Sequence, residues 1–193
     1  MAKLTVINHV TLDGVMQAPA RADEDVRGGF QHGGWALPYG DSVMTEFMGK
    51  GMAKGGALLF GRRTYEDFAA VWPQQEGNPV SALLNERRKY VASTTLREPL
   101  PWVNSTLLQG DIAEAVAGLK EDPGEDLGVL GSGELVQLLM RHGLVDEYVL
   151  TIHPLVLGSG RRLFADDGPL AALRLVESKP TTTGVVIAVY QPA

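Results

Sequence analysis

Apolar residues recur along this chain in two rhythms, and the rhythms alternate. Ala57, Leu58, Leu59 and Phe60 form an unbroken apolar run after Gly55 and Gly56, which suits a strand buried on both faces of a sheet. Tyr65, Phe68, Ala69 and Trp72 then fall at i, i+3, i+4 and i+7. That spacing lines one face of a helix, and Pro73 ends it. The same alternation runs through most of the chain. It predicts strands in "KLTVINHV", at 57–60, in "KYVAST", "STLLQG" and "DLGVLG", and helices over 41–52, 64–72, 80–88, 111–120 and in "ELVQLLMRHG". Beyond residue 145 the pattern changes. "DEYVLTIHPLVL", "ALRLVES" and "TGVVIAVYQ" read as strands with no helix between them, so a mostly parallel α/β sheet should finish in an antiparallel portion. There is no internal repeat or low-complexity tract, and one domain is expected over 1–193.

The segment 16–40 fits neither rhythm. It carries Gly28, Gly29, Gly33, Gly34 and Gly40, Pro19 and Pro38, and clustered charges, and a loop of that length in a compact domain commonly has a function. Trp35 and Tyr39 within it suggest a flap over a ligand; the alternative is a surface loop tacked down by Trp35.

Two strand-to-helix turns carry the chemistry. In "ALLFGRRTYEDF", Gly61, Arg62, Arg63 and Thr64 stand where a helix begins. Free backbone N–H groups and the positive end of the helix dipole favour a phosphate there, and the arginines would add charge-assisted hydrogen bonds. The competing reading makes Thr64 an N-cap and leaves the arginines solvated. "VLGSGELVQLL" places Gly131, Ser132 and Gly133 at a second such turn. A Rossmann fingerprint would want a third glycine where Val136 stands and would lie near the first strand, so that motif is not met. Two phosphate-compatible helix starts nevertheless suit the two ends of one dinucleotide.

Composition narrows the classes. A chain of 193 residues with 45% hydrophobic content can bury one sizeable core. Its 23 acidic against 17 basic residues, net charge −6, argue against a nucleic-acid or anionic-membrane surface. The absence of cysteine excludes disulfides, thiolate metal sites and a thiol nucleophile. "MAKLTVINHV" lacks the long apolar core of a leader. A soluble cytoplasmic protein without a metal is expected.

Taken in order, "TLDGV", "GGWALPYGD", "LLFGRRTYEDF", "YVAST", "VLGSGEL" and "DEYVLTIHPLVLGSGRRLF" resemble the dihydrofolate reductase superfamily, in the branch similar to the reductase domain of the bifunctional riboflavin-biosynthesis enzyme. The resemblance spans roughly Lys3 to Tyr190. It implies a three-layer fold with an eight-stranded, mostly parallel sheet and flanking helices, NADPH as cofactor, and a homodimer. No stretch resembles the zinc deaminase domain of the full bifunctional enzyme.

The resemblance also assigns roles. Gly61, Arg62, Arg63 and Thr64 would hold the 2′-phosphate and pyrophosphate of NADPH, Ser93 and Thr94 the adenine ribose, and Gly131, Ser132, Gly133, Glu134 and Leu135 the second pyrophosphate turn. His9, Val10, Met16 and Gln17 would border the nicotinamide, although a histidine at a strand end can equally be structural. On the substrate side stand Trp35, Tyr39, Asp41, Arg161 and Phe164, with Arg161 or Arg162 available to a substrate phosphate. In folate-reducing members an acid follows "W-x-L-P-x"; here Asp41 arrives one residue late, which weakens the case for folate itself. Asp41 or His153 would help a proton arrive. Placed beside Trp35 under a closed flap, Asp41 would be desolvated and its pKa raised; its other reading is an N-cap. The expected activity is hydride transfer from NADPH to a C=N or C=O group of a small heterocyclic substrate, pterin- or ribosylaminopyrimidine-like. The alternative is an NADPH-binding sensor with no turnover.

Overall fold

The computed structural model describes residues 1–122, 124–164, 166–168 and 170–193. Eight strands form one sheet: β1 (Leu4–Thr11), β2 (Ala57–Gly61), β3 (Lys89–Ala92), β4 (Ser105–Leu108), β5 (Leu127–Leu130), β6 (Glu147–His153), β7 (Leu173–Pro180) and β8 (Val186–Pro192). Their order is β4-β3-β2-β5-β1-β6-β8-β7. From β4 to β6 every pair is parallel, and β8 and β7 close the sheet antiparallel, as the change of rhythm after residue 145 predicts. Among the described residues five α-helices flank the sheet: α1 (Ser42–Ala53), α2 (Arg62–Val71), α3 (Pro79–Glu86), α4 (Ile112–Glu121) and α5 (Gly133–Arg141).

The apolar run of β2 is buried on both faces. Leu59 joins Leu4, Val6, Val129, Val136, Leu139 and Leu150 on one side, while Leu58 and Phe60 join Tyr65, Leu84, Val91 and Trp102 on the other. Each such side chain contributes about 1.5–3 kcal/mol of transfer free energy. Helix boundaries shift slightly from the pattern. α2 starts at Arg62, two residues before Thr64. β6 stops at His153, because Pro154 has no N–H to donate to the ladder. β3 ends at Ala92 rather than Thr94.

The segment 16–40 is irregular apart from two 3-10 turns, Arg27–Gly29 and Leu37–Tyr39. Its own small core of Val15, Ala18, Phe30 and Trp35 packs it down. Gly160, at φ +118, lies so close that a Cβ there would meet Phe30 and Val15 at 2.7 Å, so no side chain fits.

Candidate active site

β2 and β5 lie side by side, so the two glycine turns at their carboxyl ends meet. They are stitched together by their own polar groups. The Gly61 N–H donates to Ser132 Oγ at 2.9 Å, and the Ser132 N–H donates to Thr64 Oγ1 at 3.0 Å. Ser132 Oγ donates to the Leu130 carbonyl, and Asn8 Nδ2 donates to the Gly131 carbonyl, both at 3.0 Å. Thr64 is therefore not the N-cap of α2: it sits inside the first turn and accepts a bond from the neighbouring turn. Gly131 and Ser132 both hold left-handed φ, +56 and +55, which is unfavourable for serine outside a turn that demands it.

Capping separates these turns from the rest of the fold. The starts of α1, α3 and α4 are closed by the side chains of Asp41, Asn78 and Asp111. α2 and α5 have no side-chain cap. Their first-turn N–H groups and dipole ends face the same cleft, the arrangement that suits a phosphate or pyrophosphate. Four of the arginines that line it pair with Glu66 or Glu134. Arg62 pairs loosely with Glu66 at 3.3 Å, while Arg63, Arg27 and Arg161 converge on Glu134 Oε1 at 3.3, 3.9 and 3.6 Å. The pairs of Arg63 and Arg161 with Glu134 are solvent-exposed and so individually weak, which leaves those two guanidinium groups free to exchange Glu134 for an incoming anion. Arg27, by contrast, is also held by both carboxylate oxygens of Asp25.

The cleft has a volume of about 1760 Å³, beyond the ~300–1,000 Å³ of a single small-ligand pocket. Its lining includes His9, Met16, Gln17, Ser93, Thr94, Leu135, Arg161 and Phe164, together with both glycine turns. Val10 is the exception among the nicotinamide-side residues, since its side chain lies in the core. Gln17 lines the cleft, but its side chain is spent: Nε2 donates to the carbonyls of Asp25 and Arg27, and Oε1 accepts from the Arg161 N–H.

The first half of the flap, residues 16–21 and 23–27, lines the cleft, and Arg21 ties it to Asp67 on α2. Trp35 and Tyr39 are not at the substrate position expected for them. Trp35 is buried in the flap's own core with Nε1 on the Gln17 carbonyl, and Tyr39 packs edge-on against His153. The far wall is instead α1, of which no described residue is fully buried. Phe47, Met48, Gly51 and Met52 line the cleft together with Ile7 and His9 of the sheet. Those α1 residues, with Asn8 and Arg27, are what sequence reasoning missed. The half-apolar face of α1 was its one visible signal.

Asp41 does not fit the role of a desolvated acid. Its Oδ1 accepts from the Met44 N–H at 2.8 Å, and its Oδ2 from the Thr182 N–H and hydroxyl at 2.6 and 2.8 Å. These bonds, the helix N–H first, hold its pKa below the ordinary 3.8, and it does not line the cleft. It caps α1 and ties that helix to the β7–β8 turn. His153 is wholly buried, with Nε2 3.0 Å from Nδ1 of His9. Burial, and secondarily His9, pushes its pKa down to about 4; burial lowers that of His9 too. Both imidazoles are neutral at pH 7, and only His9 reaches the cleft. Among the described residues, no group of three or more His, Cys, Asp or Glu could hold a metal, and no helix is long and apolar enough to cross a membrane.

A mostly parallel eight-stranded sheet with an antiparallel C-terminal pair, and a cleft that takes in the glycine turns at the carboxyl ends of β2 and β5, defines a dihydrofolate-reductase-like α/β protein. Comparison with known proteins narrows this: residues 2–187 match the family described as RibD C-terminal domain, and the chain belongs to that family. YyaP of Bacillus subtilis (strain 168), itself uncharacterised, is 31% identical over 160 residues, 81% of this chain and 82% of that protein. Among solved structures, a pyrimidine reductase-like protein of Corynebacterium diphtheriae superposes with TM-score 0.65 at 13% identity, covering 100% of this chain and 92% of the other. RibD of Acinetobacter baumannii gives TM-score 0.67 at 13% identity, covering 100% of this chain and 58% of that longer one. At such identities the two structures speak for the fold alone.

Proposed function

We propose that this protein is an NADPH-dependent reductase acting on a C=N or C=O group of a small heterocycle, pterin-like or ribosylaminopyrimidine-like. One observation carries the reading: the two helices whose starts lack side-chain caps are the two that open into one cleft, flanked by Arg62 and Arg63. Membership of the RibD C-terminal domain family supports it. When bound, the cofactor supplies hydride. The chain's own part is to seat phosphates on the turns at 61–64 and 131–135, to select the 2′-phosphate with Arg62 and Arg63, and to hold a flat ring between the sheet at Ile7 and His9 and the α1 wall. Arg161 and Arg162, beside the cleft, suit a substrate phosphate.

Calorimetry with NADPH and NADH tests the cofactor. Each charge-assisted bond contributes about 1.5–3 kcal/mol, so NADPH should bind on the order of tenfold tighter or more. Replacing Arg62 and Arg63 together by alanine should remove most of that preference while NADH binding changes little. Equal affinities in the parent protein would sink the assignment. Absorbance at 340 nm with a panel of pterins, ribosylaminopyrimidines and small carbonyl compounds separates a reductase from a protein that binds NADPH without oxidising it.

A further inference from the structure

The histidine pair carries titratable nitrogens to which the cofactor reading assigns no chemistry: it sets His9 beside the nicotinamide and leaves the buried His153 out. We infer that His9 is a neutral hydrogen-bond donor to the substrate and that His153 is the positioning residue that makes it one. The inference rests on the reductase reading for its substrate, but the state of the pair is a property of the free chain.

β1 and β6 are parallel neighbours in which His9 lies opposite Thr151 and Thr11 opposite His153. Paired residues of parallel strands share a face, so both rings stand on the same side of the sheet. They touch through His9 Nδ1 and His153 Nε2 at 3.0 Å. A neutral imidazole carries one proton, so two arrangements are possible. In the first, His9 donates to His153, whose own proton must then sit on Nδ1. That atom is buried with no hydrogen-bond partner, and the imidazole packs edge-on against the rings of Trp35 and Tyr39, with centroids 5.0 and 5.5 Å away. A buried N–H without an acceptor is the rarer and costlier kind of orphan. In the second, His153 carries its proton on Nε2 and donates to His9, and the orphan is a bare lone pair. The second arrangement leaves His9 with its proton on Nε2.

No protein group among the described residues bonds His9 Nε2, and His9 lines the same cleft as Phe47 and Met48. The Nε2 proton is therefore left available to an acceptor on a ring bound in the cleft, which for a substrate stacked on the nicotinamide is the substrate's own acceptor. A neutral imidazole N–H that donates to a carbonyl or imine polarises it without giving up its proton, and such a fixed donor is more effective in a desolvated site than in water. The ligand chemistry that fits is a C=O or ring nitrogen acceptor on a planar heterocycle.

Long-range proton–nitrogen NMR of the 15N-labelled full chain tests this directly, with the spectrum assigned through His9→Gln and His153→Gln. At pH 7 both rings should carry the proton on Nε2. A proton on Nδ1 of either ring overturns the inference. His153→Gln, which offers an amide N–H from nearly the same place, should keep His9 in its Nε2–H form, whereas His153→Leu should let it redistribute between tautomers. With the substrate that the 340 nm panel identifies, His9→Gln should lower kcat by about 10²-fold or more. His153→Leu should lower it about tenfold, with most of the loss recovered in His153→Gln and NADPH affinity within about threefold throughout. Normal kcat in His153→Leu would refute the positioning role. Failure of the parent protein to bind NADPH would instead remove the cofactor reading, while the tautomer spectrum of the free chain would still decide the histidine pair.

Discussion

Asp41 illustrates how much a single carboxylate can be asked to do before any chemistry. One oxygen closes the start of α1 and the other accepts two bonds from Thr182. Its depressed pKa means that its stabilisation is present above the unfolded value and is lost as pH falls through the lower folded value. Asp41→Asn keeps a capping oxygen but presents an NH₂ group toward the Thr182 N–H, so its Tm should fall while NADPH affinity is unchanged. An unaltered Tm with turnover reduced about 10²-fold would restore a catalytic role. His153 acts in the opposite charge sense. It is buried neutral, so the unfolded chain takes up a proton near pH 6.5 that the folded chain refuses until about 4. Stability should be fully present above pH 6.5 and decline between 6.5 and about 4, by roughly 3 kcal/mol if the whole shift is expressed. Urea unfolding at pH 7, 5.5 and 4.5 checks this, and His153→Leu should flatten the slope.

At the level of elements, the helix starts divide into structural and functional sets. α4 is capped by Asp111, which accepts from the Glu114 N–H at 3.0 Å, and Asp111→Ala should cost about 1 kcal/mol of stability in urea unfolding without touching NADPH binding. The Arg62, Arg63 double alanine variant should do the reverse. Such a crossed result is what a phosphate seat predicts and an ordinary helix end does not. Helix α1 is a third kind of element. It is fixed at its ends, by Asp41 to Thr182 and by Arg87 to the Met52 carbonyl, while its apolar face hangs over the cleft. The helical rhythm at 41–52 made the helix legible. Nothing in that rhythm separates a face that packs on a sheet from one that waits for a ligand.

At the scale of the molecule, the sheet ends at β7 with Leu175 and Val176 about half exposed, and Val186, at the other end of the β7–β8 ladder opposite Pro180, is also exposed. An open, apolar edge of this kind invites pairing, and we expect a homodimer built on the β7–β8 end. Light scattering at micromolar concentration should give twice the 20.7 kDa chain mass, and Val176→Lys should shift the equilibrium toward monomer. A monomeric parent protein would refute this.

The alternation of apolar runs and helical stripes determined the sheet, its switch to antiparallel pairing and both glycine turns, because those features are written in residues close together along the chain. Local spacing also marked Gly61, Arg62, Arg63 and the residues around Gly131, since a turn between strand and helix needs its glycines at that point. Tertiary structure decided what depends on distant partners. Only the adjacency of β2 and β5 joins Thr64 to Ser132; only the pairing of β1 with β6 brings His9 to His153; only the path of the flap turns Trp35 inward and Arg27 toward Glu134. Asp41 reads the same in sequence whether it meets a ligand or Thr182, 141 residues away. A side chain's chemistry is local, but its burial, charge state and exposure to a ligand depend on neighbours that only the folded chain supplies.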